Sequence, residues 1–160
     1  MWMKTVYLET ELPTDADRVW EAMRYAGTFL YLCRGLFGIP ALSGRTDPMR
    51  VGEVGTAWLW GLHLIPLYRH TIHVIEVDEK TRTVRTNERG GILRTWNHTL
   101  HVEPIGQGRS RYSDSIDIDA GILTALAARG AAAIFRYRQR RWHKLVDKHL
   151  LPVGPAYAQG

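Results

Sequence analysis

Two histidines and two carboxylates fall where β-strand parity sends them the same way: His70 with Glu88, and His98 with Asp114. An imidazole beside a carboxylate can hold or move a proton near neutral pH, since unperturbed histidine titrates at ~6.5. Along residues 92–103, Ile92, Arg94, Trp96, His98, Leu100 and Val102 share one face. Along residues 109–119, Tyr112, Asp114, Ile116 and Ile118 share the more apolar face. Joining these runs through the 104–108 turn, so that apolar faces coincide, sets His98 opposite Ile116 and Leu100 opposite Asp114. His98 and Asp114 are then diagonal neighbours. The same parity places Val84, Thr86 and Glu88 with His70, Ile72 and Val74, with Glu88 opposite Ile72 and diagonal to His70.

The inward wall so built carries His70, Glu88, Arg94, Trp96, His98, Tyr112 and Asp114 among apolar neighbours. Buried charges are costly unless paired, which makes such a cluster informative. Each pair also has a purely structural reading, and Arg94 then serves only to neutralise Glu88. Trp96 reads as packing or as a stacking platform for a ligand. A one-residue slip of register would exchange the set for His73, Arg85, Asn87, Arg89, Thr95 and His101.

Arg138 lies within an apolar stripe of the last helical segment, between Phe135 and Trp142. It has three readings: its stem snorkels outward, it pairs with Asp114 or Glu88, or it meets an anionic ligand group. Other chemistry finds little support. His70 and His73 are spaced i,i+3, but on a strand they point to opposite faces, so no metal site is expected and no cofactor is implied. The Gly90-Gly91 and Gly106-Gln107-Gly108 stretches read as turns without the strand–loop–helix context of a phosphate cradle. Ser43, Ser110, Ser113 and Ser115 lack a nucleophile-elbow pattern, and Cys33 has no evident activating neighbour.

The elements that must position these residues follow from periodicity. Residues 4–12 alternate as a strand, with Val6, Leu8, Thr10 and Leu12 on one side. Thr14 reads as the N-cap of a helix that carries Val19, Trp20 and Met23 and ends at Gly27. A second short helix is expected over 28–36. Strands follow over 54–64, 68–77, 83–89, 92–103 and 109–119, and then one long helical segment over 121–150. Its first half is mostly alanine and glycine. Small side chains facing a concave sheet leave either tight helix–sheet contact or a void able to hold a ligand.

The chain has 160 residues, 45% hydrophobic and 23% charged, which suits one globular domain and excludes disorder, collagen and coiled coil. No run approaches the ~20 apolar residues of a membrane helix. The N-terminus has no apolar signal-peptide core, and the lone Cys33 excludes a disulfide framework; a cytoplasmic protein is expected. The net charge of +5 is concentrated between Arg136 and Lys148. That stretch reads as a solvated helix face; nucleic acid is not an expected partner, and weak association with an anionic membrane surface is the sharper alternative.

Four stretches carry a resemblance. They are Leu12-Pro13-Thr14-Asp15-Ala16-Asp17-Arg18-Val19-Trp20, Val51-Gly52 after Asp47-Pro48, Glu88-Arg89-Gly90-Gly91 followed by Trp96 and His98, and Phe135 through Trp142. With the element order, they resemble the helix-grip superfamily of START-related and pollen-allergen-like proteins (SRPBCC), including its polyketide cyclase/dehydrase-like members. The resemblance spans nearly the whole chain and implies an α+β fold in which a curved antiparallel β-sheet wraps around a long C-terminal helix, with two short helices after the first strand. Residues 1–150 would form one ligand-binding domain, and residues 151–160 a tail. It implies a deep apolar cavity, and three functions stand as expectations. One is binding or transport of a lipid, polyketide or aromatic compound. Another is an aromatase/cyclase- or dehydratase-like enzyme using His98, Asp114, His70 and Glu88. The third is an interaction module built on the basic helix. Ligand contacts would come from His70, Glu88, Arg94, Trp96, His98, Tyr112, Asp114 and Arg138.

Overall fold

Alternating polarity folds the middle of the chain into one antiparallel sheet with a wet face and a dry face. The computed structural model describes residues 2–150; the expected tail at 151–160 lies outside the described residues. Strand β1 (Lys4–Leu12) precedes helices α1 (Ala16–Met23) and α2 (Ala26–Cys33). Strands β2 (Phe37–Gly38), β3 (Val54–Gly61), β4 (Ile65–Asp78), β5 (Thr83–Gly90), β6 (Leu93–Gly106) and β7 (Arg109–Asp119) follow. Helix α3 (Thr124–Asp147) ends the described chain after a short 3-10 turn. The sheet order is β1-β7-β6-β5-β4-β3-β2, so the last strand pairs with the first. This is the expected helix-grip architecture, with α3 lying across the concave face.

The register across the site is the one that apolar matching selects: His98 faces Ile116, Leu100 faces Asp114, and Ile72 faces Glu88. The β7 side chains Tyr112, Asp114, Ile116 and Ile118 are all buried. On α3 the inward stripe is Thr124, Ala131, Phe135, Arg138, Gln139, Trp142 and Leu145, one helical face at 3.6-residue spacing.

Three local expectations need correction. The first helix stops at Met23, and Gly27 lies inside α2, which runs from Ala26 rather than Thr28. The N-cap position is Asp15, not Thr14; its Oδ1 accepts a hydrogen bond from Gly108 N at 3.0 Å, tying the β6–β7 turn to the helix start. Arg94 does not face inward. Pairing Glu88↔Trp96 but Gly90↔Leu93 leaves one extra residue on β6, a bulge that reverses strand parity. Leu93 therefore takes the inner place, and the exposed Arg94 sets its guanidinium beside Gly121.

Two apolar clusters bracket the space under the sheet. One gathers Leu12, Val19, Trp20, Val84, Val102, Tyr112, Trp142 and Leu145; the other gathers Ile116, Ile118, Ala131 and Phe135. Among the described residues no helix is long and apolar enough to cross a membrane.

Candidate functional site

Between the sheet and α3 lies a cavity of about 750 Å³. Its wall is mostly apolar, drawn from α2 (Phe29, Leu32), the sheet (Leu59, Ile72, Val74, Trp96) and α3 (Ala127, Ala131). Ala127, Gly130 and Ala131 leave α3 with little bulk on this side, so the small-residue half of the helix faces a void instead of packing solidly. A volume of this size falls in the range of small-molecule sites, roughly 300–1,000 Å³.

A polar belt crosses four neighbouring strands on the inner face. On β4 and β5, His70 Nε2–H donates to Glu88 Oε2 at 2.7 Å, and Thr86 Oγ1–H donates to Glu88 Oε1 at 2.5 Å. On β6 and β7, His98 Nε2–H donates to Asp114 Oδ1 at 2.8 Å, and Tyr112 O–H donates to the same oxygen at 2.8 Å. Gln139 of α3 closes the network, its Nε2–H donating to Asp114 Oδ2 at 3.0 Å and to the Leu8 carbonyl at 2.9 Å. The carboxylates accept, which places the imidazole hydrogens on Nε2.

Burial pushes the Asp114 carboxyl up, but the hydrogen bond from His98, the nearby Arg138 charge and the hydrogen bond from Gln139 outweigh it and hold the group below the ordinary aspartate range. Glu88 is likewise raised by burial and lowered further by His70, His98 and Thr86, ending below the ordinary glutamate range. Both are ionised at neutral pH. Burial and the neighbouring Asp114 push Tyr112 far above its usual range, so it stays a neutral donor. Burial also raises Tyr68, another lining residue, to about 12.

Phe135 is the hinge of the wall. Its ring lies 6.1 Å from Trp96, meets His98 edge-on at 4.8 Å, and carries the Arg138 guanidinium at 4.7 Å from its centroid.

Of the residues singled out in the sequence, His70, Glu88, Trp96, His98 and Arg138 are brought to the cavity wall. Asp114 and Tyr112 stand behind it, Asp114 supporting His98 and Tyr112 packed on Trp142 at 5.0 Å. Arg94 lies outside for the reason given above. Outward snorkelling of Arg138 does not occur: the residue is 4% exposed. Pairing with Asp114 or Glu88 does not occur either, since neither is within ion-pair distance. Thr86 was placed on the inward face without a role, and Gln139 and Tyr68 were not singled out. The signal for Gln139 was its place four residues beyond Phe135 on the inward helical face.

A family profile described as "Domain of unknown function (DUF8410)" matches residues 39–146, about two thirds of the chain. The chain belongs to this family. No curated protein matches the sequence of this DUF8410 member. Several solved structures share its fold. Norcoclaurine synthase from Thalictrum flavum, in complex with dopamine and hydroxybenzaldehyde, matches at TM-score 0.64 and 18% identity, over 92% of this chain and 88% of that one. A START superfamily protein from Mycobacterium smegmatis matches at 0.65 and 10% identity, over 90% and 97%. Zhui aromatase/cyclase from Streptomyces sp. R1128 matches at 0.61 and 15% identity, over 90% and 91%. The DUF8410 chain thus has the START-like, SRPBCC fold. At these identities the likeness is one of architecture.

Proposed function

We propose that this protein binds or carries a hydrophobic small molecule, a lipid, polyketide or aromatic compound, inside the cavity beneath α3. The observation that carries the reading is the apolar void of about 750 Å³ in a fold otherwise packed from sheet to helix. Affinity would come from buried apolar area at about 25 cal/mol per Å², with the few polar groups of the wall orienting the guest. The fold it shares with a norcoclaurine synthase structure holding two small aromatic compounds supports the reading. The test is native mass spectrometry of protein purified from its own host, with extraction of what co-purifies, alongside titration with the neutral fluorophore N-phenyl-1-naphthylamine. A retained small molecule or saturable fluorophore binding is expected. Absence of both defeats the proposal.

A second reading, an aromatase/cyclase- or dehydratase-like enzyme, is favoured by one feature. His98 lines the cavity with Asp114 holding its Nε2–H, and no described residue bonds its Nδ1. A carboxylate-oriented imidazole with a spare lone pair suits a general base. Under this reading His98→Gln abolishes turnover of the co-purifying compound and leaves its affinity nearly intact. If turnover persists in that variant, the assignment of His98 as base fails.

A further inference from the structure

Every charged group on the cavity wall is matched except one. Arg45 pairs with Glu53 at 2.6 Å, and Glu88 with His70 at 2.7 Å. Arg138 is buried to 4% exposure, yet among the described residues it has no hydrogen bond and no ion pair. Its Nε is sealed from water and bonded to nothing. Phe135 and Phe29, with ring centroids 4.7 and 5.5 Å from the guanidinium carbon, steady the group through their π faces but offer no acceptor.

The nearby carboxylates are engaged by other donors, and neither lies within ion-pair distance of Arg138. Asp114 Oδ1 accepts from His98 and Tyr112, and Oδ2 from Gln139; Glu88 accepts from His70 and Thr86. Asp114 and Glu88 keep the guanidinium charged through their fields, but among the described residues its N–H donors have no acceptor, and a buried donor left unsatisfied is costly. A guanidinium presents a rigid fork of donors that fits a planar oxyanion with two parallel hydrogen bonds. The field of Asp114 and Glu88 reaches Arg138 as well, and that negative surrounding disfavours a dianion.

We infer that Arg138 is the anion anchor of the cavity, and that its occupant is an amphiphile with an apolar body and a single planar, monoanionic head of the carboxylate type. The inference rests on the cavity-binding reading and deepens it. Arg138 sits on the inward stripe of α3 because the anchor must reach the void from the helix side, while the strand side supplies only groups already paired.

Matched pairs of probes test this: naphthalene-2-carboxylate against naphthalene-2-carboxamide, and dodecanoate against dodecanamide. Each displaces N-phenyl-1-naphthylamine at about pH 8, where the acids are ionised. The unaltered protein should prefer each carboxylate over its amide by about 10- to 100-fold, the range of a charge-assisted hydrogen bond. Arg138→Met should erase the preference while the amides and the fluorophore bind as before. Arg138→Lys should keep a smaller preference. If the Met variant does not fold, the same comparison is made between Arg138→Lys and Arg138→Gln.

Equal binding of acid and amide by the unaltered protein overturns the anchor and leaves cavity binding standing. So does a preference that survives Arg138→Met. Tighter binding of dodecyl phosphate than of dodecanoate overturns the monoanion assignment. Failure of the fluorophore and all probes to bind overturns the cavity reading itself.

Discussion

Substitution of Gly130 tests, by the sign of a stability change, whether the cavity is open where the exposed flank of α3 meets its lining. Gly130 lies in the middle of α3 and in the cavity lining, and a Cβ at that position would meet no atom within 4 Å. Glycine inside a helix costs about 0.8–1.0 kcal/mol relative to alanine. Gly130→Ala should therefore stabilise the fold by nearly that amount, a rise in melting temperature of about 2–4 °C for a chain of this size. Leucine has nearly the helix propensity of alanine, so Gly130→Leu should keep most of the gain while its branched side chain occupies part of the void. Circular dichroism melts and urea titrations read the stability, and N-phenyl-1-naphthylamine titration reads the binding. Both variants should be at least as stable as the parent, with weaker fluorophore binding in the leucine variant alone. Against a closed wall at this flank of α3 the added methylenes would instead cost about 1–3 kcal/mol by overpacking. A loss of that size in the leucine variant would refute an open cavity rim at Gly130. A stable leucine variant that binds the fluorophore unchanged would show that the fluorophore sits elsewhere.

Removing Asp114 strands His98, Tyr112 and Gln139 together, so Asp114→Ala should cost about 3–5 kcal/mol in urea unfolding. The Asp114 and Glu88 carboxyls are both held below their ordinary values, so their stabilisation is complete above the unfolded-state values of 3.8 and 4.5 and is lost as pH falls through the lower folded ones. The melting temperature should accordingly hold steady down to about pH 5 and drop steeply below about pH 4, and Asp114→Asn should flatten that drop. Cys33 is fully buried, and burial first of all pushes its thiol to about 11; it should react with a disulfide reagent at about pH 8 only as fast as the protein unfolds. Arg94→Ala should leave probe binding unchanged and shift stability by less than about 0.5 kcal/mol, because the side chain lies outside the cavity.

Strand parity made the belt legible because it has only two answers. With a period of two, each strand shows one face or the other, and the apolar run Tyr112, Ile116, Ile118 decides which face is buried. Once β7 is oriented, His98 and Asp114 must meet. The same rule misplaced Arg94, since an extra residue on β6 reverses parity and no local pattern marks where a sheet inserts one. Helix periodicity put Arg138 on the inward stripe, yet its state was undetermined, because snorkelling, pairing and standing alone share one position on a helical wheel. Gln139 escaped notice for the opposite reason: its amide looks like ordinary surface until the Asp114 oxygen it reaches is placed in space. Whether the alanine-rich half of α3 packs tightly or leaves room depends on sheet curvature, a property of how seven strands coil together and not of any one segment.

The two histidines are not equivalent, and the difference separates a carrier from an enzyme. His70 Nδ1 is sealed from water and has no partner among the described residues, so it can neither reach a guest nor exchange a proton with solvent without rearrangement. His98 meets the edge-on Phe135 ring at 4.8 Å, and the same ring bears Arg138 at 4.7 Å. One aromatic side chain thus spaces the proposed anion anchor from His98, among the described residues the carboxylate-backed imidazole whose remaining nitrogen is not shut away. A guest held by its head at Arg138 would bring the atoms next to that head toward His98; the guanidinium would neutralise the carboxylate and stabilise the enediolate left when the α-proton passes to His98 Nδ1. Proton exchange at that carbon is therefore the chemistry to look for. If the protein catalyses it, deuterium from solvent should enter the α-carbon of a bound 2-aryl acetate at a rate that His98→Gln abolishes and His70→Gln leaves in place. Exchange at the uncatalysed rate in the unaltered protein, with tight binding of the same acid, would leave the carrier reading alone.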